Sequence, residues 1–447
     1  MTLLVAISAA TFVCLLWILR RDRISLGLPI AYLYSLLLIH VPGALAHIFG
    51  SGFFINSDLV EIGMRFATLG AVCFVIGVWL ARRSTRKMTL RPEVDRPDFW
   101  WACLIGGWAL IYGLTPLYHI ASISAAIEKG GGIWMLGVLL GLRAACRDSD
   151  LKRVAIWVGA LLVFPVLVLL LGGFLSYGAA AIVIACSVLT ISIRSSWRLT
   201  IGVAIFVFLG MSIFVNYFEH RDNIRHEVWG GAPLETRIDS VIDIARDFQW
   251  LDFSNRKHLV ALDQRLNQNY FIGLAAERIQ EGQVNYLRGD SIWDGVISLI
   301  PRLLWPEKPV VAGSPMIVSK MTGLRLSDKT SFGVGNVMEF QINFGVLGVI
   351  IGFLVLGWLI GTLDLKAAVA ENRGDPGRVI LFFLPCVALI DPQGSLVQLF
   401  SGSAAALVAA YGWKWAWKHW VAHRASSRKR YSHPHEAVLK ASQLKID

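Results

Sequence analysis

Residues Val337–Leu363 read VMEFQINFGVLGVIIGFLVLGWLIGTL, and this stretch decides the fold. Its one ionisable residue is Glu339, and the remainder is dominated by glycine and aliphatic side chains. A helix of about 20 such residues crosses the hydrocarbon core of a bilayer, which is roughly 30 Å thick. The stretch therefore predicts a membrane-spanning helix with a polar edge, formed by Glu339, Gln341 and Asn343, at one end.

The rest of the chain has the same character. Its 447 residues are 55% hydrophobic and 16% charged, and the mean hydropathy is +0.58, which lies outside the range of soluble proteins. We predict an all-α polytopic membrane protein with about eleven transmembrane helices. The predicted spans are residues 3–19, 24–48, 59–81, 99–120, 130–146, 154–171, 175–193, 199–218, 337–363, 379–390 and 396–417.

Basic residues set the predicted orientation, because Lys and Arg are retained on the cytoplasmic side of a membrane. They cluster in alternate loops, at 20–23, 82–87, 147–153 and 194–198, and in the carboxyl-terminal tail. The amino terminus is therefore predicted to lie outside the cytoplasm and the carboxyl terminus inside it. The predicted divisions are a transmembrane bundle at 1–218, a large outer loop at 219–336, carboxyl-terminal spans at 337–418 and a basic tail at 419–447.

Composition also excludes several functions. The formal charge of +11 is concentrated in the predicted cytoplasmic segments, so it indicates contact with membrane lipids and no nucleic acid partner. All six cysteines lie in or at the ends of predicted spans, which leaves no disulfide for the outer loop and no metal cluster. A glycine loop that would bind a nucleotide is lacking. We therefore expect no metal and no cofactor.

The large loop between the eighth and ninth spans has the pattern of amphipathic helices. Ile238, Val241 and Ile242 repeat at helical spacing, and a second periodic stretch runs over Leu259–Ile279. A third is predicted from Ser291, which would cap it, to Ile300. The loop is near neutral, so an anion site in it must come from a few placed cations.

Several cations are candidates for such a site. Arg265 and Arg278 fall on the second amphipathic stretch, and prolines frame Arg302 and Lys308 within Pro301–Pro309, which would hold the two charges in place. Each is alternatively a solvated charge or half of an ion pair. Arg65 lies four residues after Glu61 near the outer end of the third span, where the two form either a packing ion pair or a ligand site.

At these motifs the sequence resembles a family. The segment Pro301–Pro309, the residues Thr330–Gly335, the span mouth Glu339–Gly345 and the stretch Asp263–Asn267 resemble the signature region of bacterial oligosaccharide repeat-unit polymerases, the Wzy-type O-antigen and exopolysaccharide polymerases. One feature departs from the pattern. Many relatives carry an arginine in the short outer turn that here reads GGFLSY at 172–177, so Arg65 or the large loop would have to replace it.

The resemblance implies a metal-independent, inverting glycosyltransferase that joins undecaprenyl-pyrophosphate-linked oligosaccharides on the periplasmic side, with a chain-length regulator protein as a further partner. Transfer needs a base for the acceptor hydroxyl and cations for the departing pyrophosphate. The predicted catalytic residues are Glu339 as base, with Arg302 and Arg265. The predicted substrate-binding residues are Lys308, Arg278, Arg65, Asp263, His258, Trp305 and Asn343, of which Asp263 and His258 are the alternative bases.

Two other functions share these features. A ligase that transfers finished glycan to a lipid core would use the same donor and differ in its acceptor. A lipid-oligosaccharide transporter would instead place charges along the membrane midplane and show inverted repeats. Here the charges gather in one outer loop, which favours the polymerase.

Overall fold

The computed structural model describes residues 1–22, 24–50, 52, 56–83, 96–117, 119–172, 182–187, 190–191, 196–300, 304–305, 307–309, 313–325 and 333–443. These residues fold into helices joined by turns, and the described part contains no strand. The first eight helices are α1 (Thr2–Asp22), α2 (Leu28–Leu38), α3 (Val41–Ile48), α4 (Ser57–Arg82), α5 (Pro97–Gly113), α6 (Ala121–Gly131), α7 (Ile133–Arg147) and α8 (Leu151–Gly172).

The second half is also helical. A long helix precedes five short ones, and three apolar helices end the chain. The bounds are α9 (Ser196–Trp229), α10 (Leu234–Arg246), α11 (Arg256–Leu266), α12 (Asn269–Gln280), α13 (Asp290–Ser298), α14 (Ser314–Thr322), α15 (Asn336–Asn372), α16 (Pro376–Ala388) and α17 (Leu396–Gln443).

Six of the described helical segments are long and apolar enough to cross a membrane. They are Thr2–Asp22, Leu28–Ile48, Ser57–Arg82, Ile123–Arg147, Asn336–Asn372 and Leu396–His423. The prediction of a helical membrane protein is therefore confirmed, and the count of eleven spans stays a prediction. The predicted tenth span is a helix of 13 residues, α16, and most of the predicted seventh lies outside the described residues.

The centre of the bundle is the contact between α4 and α15. Glycines permit this contact, because a Cβ at Gly77 would meet the backbone of Leu354 and one at Gly357 would meet the backbone of Phe74. Small residues at helix interfaces let backbones approach closely in a membrane, where packing rather than water exclusion drives association. Phe74 and Phe353 are both fully buried on this interface.

A buried ion pair between Arg82 and Asp364 lies at the end of the bundle that carries the basic stretches at 20–23 and 82–87. The Asp364 carboxylate accepts the Ser25 hydroxyl and an Arg82 N–H at Oδ2, and the backbone N–H groups of Leu26 and Leu28 at Oδ1. Arg82 also donates to the Ile24 carbonyl at 2.7 Å. The pair thereby joins α4, α15 and the start of α2, and we call it the Asp364 latch.

Helix α15 is broken near its other end. Phe344 and Gly345 have non-helical backbone angles, with φ of +61° at Gly345. Phe340, before the break, packs on Gly348, Gly352 and Phe353, after the break. The chain therefore reverses direction, and the segment Asn336–Asn343 folds back into the bundle beside the helix that follows it. We call Asn336–Asn343 the re-entrant segment.

The predicted amphipathic helices are present with different ends. The first is α10, and the second is two helices, α11 and α12, with a break at Asn267 and Gln268. Ser291 was expected to cap the third, but α13 begins at Asp290 with Gly289 as its N-cap, at φ of 103°. The correction has a physical reason, because the Ser291 hydroxyl accepts a hydrogen bond from Asn343 and does not cap the helix.

Candidate functional site

The re-entrant segment begins inside the bundle, where it meets the turn that joins α16 to α17. Asn336 accepts the Tyr32 hydroxyl at 2.7 Å and donates through Nδ2 to the Gly394 carbonyl at 2.9 Å. Its backbone N–H donates to the Pro392 carbonyl. Non-helical backbone at membrane depth occurs where protein buries it or where it lines a polar cavity. This meeting point is the first part of the candidate site.

Glu339 lies one helical turn further along the re-entrant segment and is completely buried. Its Oε2 accepts the backbone N–H of Leu396, the first residue of α17, at 2.7 Å. Its Oε1 is buried without a hydrogen bond of regular geometry, and the Ser291 hydroxyl is the polar group beside it. Among the described residues, none forms an ion pair with Glu339. One oxygen of this carboxylate thus stabilises a helix start, and the other retains capacity to accept a proton.

Asn343 connects the re-entrant segment to α13. Its Oδ1 accepts the Gly289 N–H at 2.9 Å, and its Nδ2 donates to the Ser291 hydroxyl at 2.8 Å and to the Glu339 carbonyl at 2.7 Å. Glu339 and Asn343 were predicted to belong to the polar edge of the span, and the structure places both in the same buried polar group. Asn343 has its hydrogen-bonding capacity filled by protein, so its present role is to hold α13 over Glu339.

A second buried polar group lies where two helix breaks meet. His40 lies in the α2–α3 break, and Asn269 is the first residue after the α11–α12 break. Both are buried, and a hydrogen bond joins His40 Nδ1 and Asn269 Oδ1 at 2.8 Å. Beside them, the buried Asp263 accepts Asn267 Nδ2 at 2.6 Å and lies 3.6 Å from His47 Nε2. Pairing the two breaks satisfies backbone groups that neither helix could satisfy alone.

Gln268 connects the two polar groups. Its backbone N–H donates to the Ile39 carbonyl at 3.1 Å, and its side-chain oxygen packs against Gly335, directly before the re-entrant segment. The nitrogen His40 Nε2 and the oxygens Asn267 Oδ1 and Gln341 Oε1 are buried and have no hydrogen-bond partner within the described parts of the chain. Buried polar atoms normally have partners, and exceptions point to a bound molecule or a functional role.

Arg265 faces away from the two buried polar groups, the one around Glu339 and the one around Asp263. It lies two residues after Asp263, which on an α-helix places the two side chains on nearly opposite sides. Burial lowers the pKa of the half-buried Arg265 guanidinium, and the neighbouring charges of Arg221 and Arg225 on α9 lower it further. Arginine remains charged despite such shifts. Three cations thus share one surface, which we call the arginine cluster, and that arrangement suits a polyanion.

The other predicted residues are scattered. Lys308 Nζ donates to the Ile300 carbonyl at 3.0 Å, and Arg278 donates to the Thr322 carbonyl at 3.4 Å, at the carboxyl end of α14. Arg65 is exposed and pairs with Glu61 at 2.7 Å, which is the ion pair that the sequence left open. The last two are His258, whose Nδ1 accepts the Asp252 N–H at 3.2 Å, and Trp305, which is 38% exposed.

Arg302 was predicted to be catalytic, and it lies outside the described residues, as do Pro301 and the residues 330–332 of the family-like motif. Sequence reasoning missed the two α9 arginines, Arg221 and Arg225, although their spacing of four residues on a helix was a usable signal. It also missed Asn336. The described residues contain no group of three or more His, Cys, Asp or Glu side chains able to hold a metal ion.

The chain belongs to the family described as Domain of unknown function (DUF8712), whose family model matches residues 56–371. The match includes both partners of the Asp364 latch, the arginine cluster and the re-entrant segment. It stops short of the α16–α17 turn, and it begins after His40 and His47. No curated protein and no solved structure matched the chain. The family assignment therefore identifies relatives of the site without assigning it an activity.

Proposed function

We propose that this protein polymerises undecaprenyl-pyrophosphate-linked oligosaccharide repeat units into O-antigen or exopolysaccharide. The proposal rests on the sequence resemblance and on one structural observation in particular. Glu339 is a buried carboxylate that carries no cationic partner among the described residues, and Ser291 of α13, a helix of the predicted outer segment, lies beside it. The arginine cluster is on two other helices of that segment, α9 and α11. A base and a polyanion site are the two parts that such a transfer needs.

In the proposed reaction, an acceptor sugar hydroxyl attacks the anomeric carbon of the donor sugar. The new C–O bond forms as the bond to the pyrophosphate oxygen breaks, so the configuration at that carbon inverts. The hydroxyl proton passes to Glu339, and the pyrophosphate departs with its negative charge next to Arg265, Arg221 and Arg225. Because Arg265 faces away from Glu339 in the structure, the reaction requires the outer segment to move so that both contact one donor. Fixed cations stabilise that charge without reorganising during the reaction.

Access to Glu339 is part of the proposal. Asn343 and Ser291 connect α13 to the re-entrant segment, and Ser298 donates to the Val397 carbonyl at 3.1 Å on α17. These are a small number of hydrogen bonds, and α13 also exposes Trp293 and Val296. We propose that α13 moves away from α17 when substrate binds, which brings Glu339 and the acceptor together.

The proposed orientation, in a bacterial inner membrane, places the segment 219–336 in the periplasm and the basic stretches at 20–23, 82–87, 147–153 and 194–198 in the cytoplasm. Cysteines introduced at two exposed positions test it. Ser254→Cys is on the outer segment, and Lys152→Cys is at the start of α8, at the arginine-rich end. A membrane-impermeant maleimide added to intact spheroplasts should label the first more than the unsubstituted protein and label the second only after permeabilisation. The reverse pattern would overturn the assignment of the site.

One observation favours a second function. The helix breaks in α15 and between α2 and α3, together with the short helix α16, are the kind of discontinuity that lines substrate sites in transporters. Apart from Glu339 and the two histidines, the polar side chains beside these breaks, Asn336, Gln341 and Asn343, are uncharged, which suits a glycan. A transporter would move lipid-linked oligosaccharide across the membrane without lengthening it.

The decisive experiment uses purified protein and a lipid-pyrophosphate-linked oligosaccharide in detergent, without nucleotide sugar. Polymerase activity predicts a ladder of longer lipid-linked products on a gel. A transporter predicts unchanged substrate length and protein-dependent exposure of the glycan in proteoliposomes. The Glu339→Gln variant is the matched control for the ladder, since it keeps the shape of the side chain and removes the basic carboxylate.

A further inference from the structure

A cavity lies at the arginine-rich end of the bundle, far from the candidate site. It has a volume of about 470 Å³, including its open mouth, and it is enclosed by the starts of α5 and α16 and the ends of α7 and α15. Its wall includes three arginines, Arg96, Arg143 and Arg147, against two acidic residues, Glu371 and Asp375. The cavity is therefore positively charged overall.

Both acidic residues are committed to local contacts. Glu371 pairs with Arg143 at 3.2 Å, and this ion pair joins α15 to α7. Asp375 accepts the backbone N–H of Arg378 at 3.1 Å as the cap of α16 and pairs with the Arg378 guanidinium at 3.4 Å. Arg96 reaches the cavity from the residue before α5, and Arg147 reaches it from the end of α7, where it also pairs with Asp148 at 3.4 Å. The arginines of the wall therefore come from two elements that the fold brings together.

The other side of the cavity is apolar. Phe99, Trp100, Leu140 and Val379 line it. Phe99 also stacks edge-on with Trp417 at 4.9 Å, and Trp417 stacks on Trp420. Tryptophan and arginine at the same level of a helical membrane protein mark the boundary between the hydrocarbon core and the headgroups. A ligand there would have an anionic group and an apolar group next to each other.

We infer that this cavity binds the phosphate of an anionic phospholipid, with the headgroup against Arg96 and Arg147 and the upper acyl chain beside the half-buried Trp100 ring. Arginine forks match phosphate oxygens in pairs of hydrogen bonds. Basic pockets between membrane helices recognise such headgroups. The bound lipid would stabilise the contact among α5, α7, α15 and α16. This inference depends on the membrane location and not on the glycan reaction.

Native mass spectrometry of the detergent-purified protein tests it, with phosphatidylglycerol and phosphatidylcholine of identical acyl chains as probes. We expect phosphatidylglycerol to bind about tenfold more tightly, and we expect Arg96→Gln and Arg147→Gln each to weaken it about tenfold. Arg83→Gln is the matched control, because Arg83 is exposed at the same end, lies over the Trp79 ring and is not part of the cavity wall. It should change phosphatidylglycerol binding less than twofold.

A competition measurement and a conservative variant complete the test. Inorganic phosphate at millimolar concentration should fail to displace phosphatidylglycerol, and displacement would assign the cavity to a soluble anion instead. If Arg96→Gln unfolds, Arg96→Lys replaces it in the test. The lysine retains the positive charge but cannot make the paired hydrogen bonds of a guanidinium, so lipid binding should fall only in part. Equal binding of both lipids, or unchanged binding in the Arg96 and Arg147 variants, would overturn the inference.

Discussion

Two buried carboxylates lie on the same helix, α15, and they differ in how their oxygens are satisfied. Asp364 has a cation, a hydroxyl and two backbone N–H groups as partners. Glu339 has one regular hydrogen bond, from Leu396, and the described residues give it no ion pair. A buried charge without a partner is costly, so a protein keeps one where its chemistry is needed.

The difference separates fold from function within one membrane bundle. The Asp364 latch joins α2, α4 and α15, and its contacts fill the carboxylate. The contacts of Glu339 and Asn343 join α13, α15 and α17, and they leave Glu339 Oε1 and Gln341 Oε1 without a regular hydrogen bond to the described residues. Under the proposed function, the first region supports stability and the second supports turnover, so we expect the two regions to respond differently to substitution.

The largest expected effect is on the latch. Arg82→Ala leaves Asp364 buried without its cation, which should lower the free energy of unfolding by about 3–5 kcal/mol. Thermal unfolding in detergent measures the loss. The double variant Arg82→Met/Asp364→Leu should be less destabilised than either single variant, because it removes both buried charges. If Arg82→Ala unfolds at the same temperature as the wild type, the latch does not stabilise the fold.

The arginine cluster should show the opposite behaviour. Arg265→Ala should reduce polymer by a factor of about 10–100, since a charge-assisted contact is lost, while the melting temperature stays level or rises because repulsion with Arg221 and Arg225 is relieved. Arg265→Lys should rescue poorly. Arg246→Ala is the control, an exposed arginine of the same segment that pairs with Asp243. Full polymer from Arg265→Ala would remove the cluster from the site.

The α15 reversal gives an intermediate effect. At Gly345, φ of +61° and a Tyr286 hydroxyl 3.0 Å from the Cβ position both oppose a side chain. Gly345→Ala should therefore cost about 1–3 kcal/mol and displace the re-entrant segment. Gly412→Ala on α17 has open space around it and should be neutral or slightly stabilising. Equal melting temperatures for the two variants would contradict the strained reversal.

Arg278 should give the smallest effect. Its contact with the Thr322 carbonyl places a cation at the carboxyl end of α14, which is worth about 0.3–1 kcal/mol. Arg278→Ala should lower stability by that amount and leave polymer yield per folded molecule unchanged. A large loss of polymer at normal stability would return Arg278 to the substrate site that the sequence predicted for it.

Hydropathy was enough to predict the membrane class and the apolar helices, because it is a local property of about 20 residues. The pairing of Asp364 with Arg82 was not predictable, since 282 residues separate them along the chain. The break at Gly345 was missed for a related reason. Asn336–Asn343 is helical and could continue the span, and it is the backbone angles at Gly345 and the packing of Phe340 on Gly352 that show the reversal.

The candidate site was predictable in part. Glu339 and Asn343 were identified from their position at a span mouth, and they do share one polar group. Asp263 and Arg265 were taken together as one motif, and the structure separates them onto opposite sides of α11. Spacing along a helix thus indicates which residues share a face, but not which neighbouring helix each face contacts.

The most direct test compares Glu339→Gln with Asp364→Asn in one purification, for melting temperature and for polymer made per folded molecule. We predict that Glu339→Gln melts like wild type, because the amide oxygen still accepts the Leu396 N–H, and that its turnover falls by a factor on the order of 10² to 10⁴. Asp364→Asn should melt lower and retain turnover in the protein that stays folded. Near-normal polymer from Glu339→Gln, or a loss of stability as large as that of Asp364→Asn, would contradict the assignment of Glu339 to the reaction.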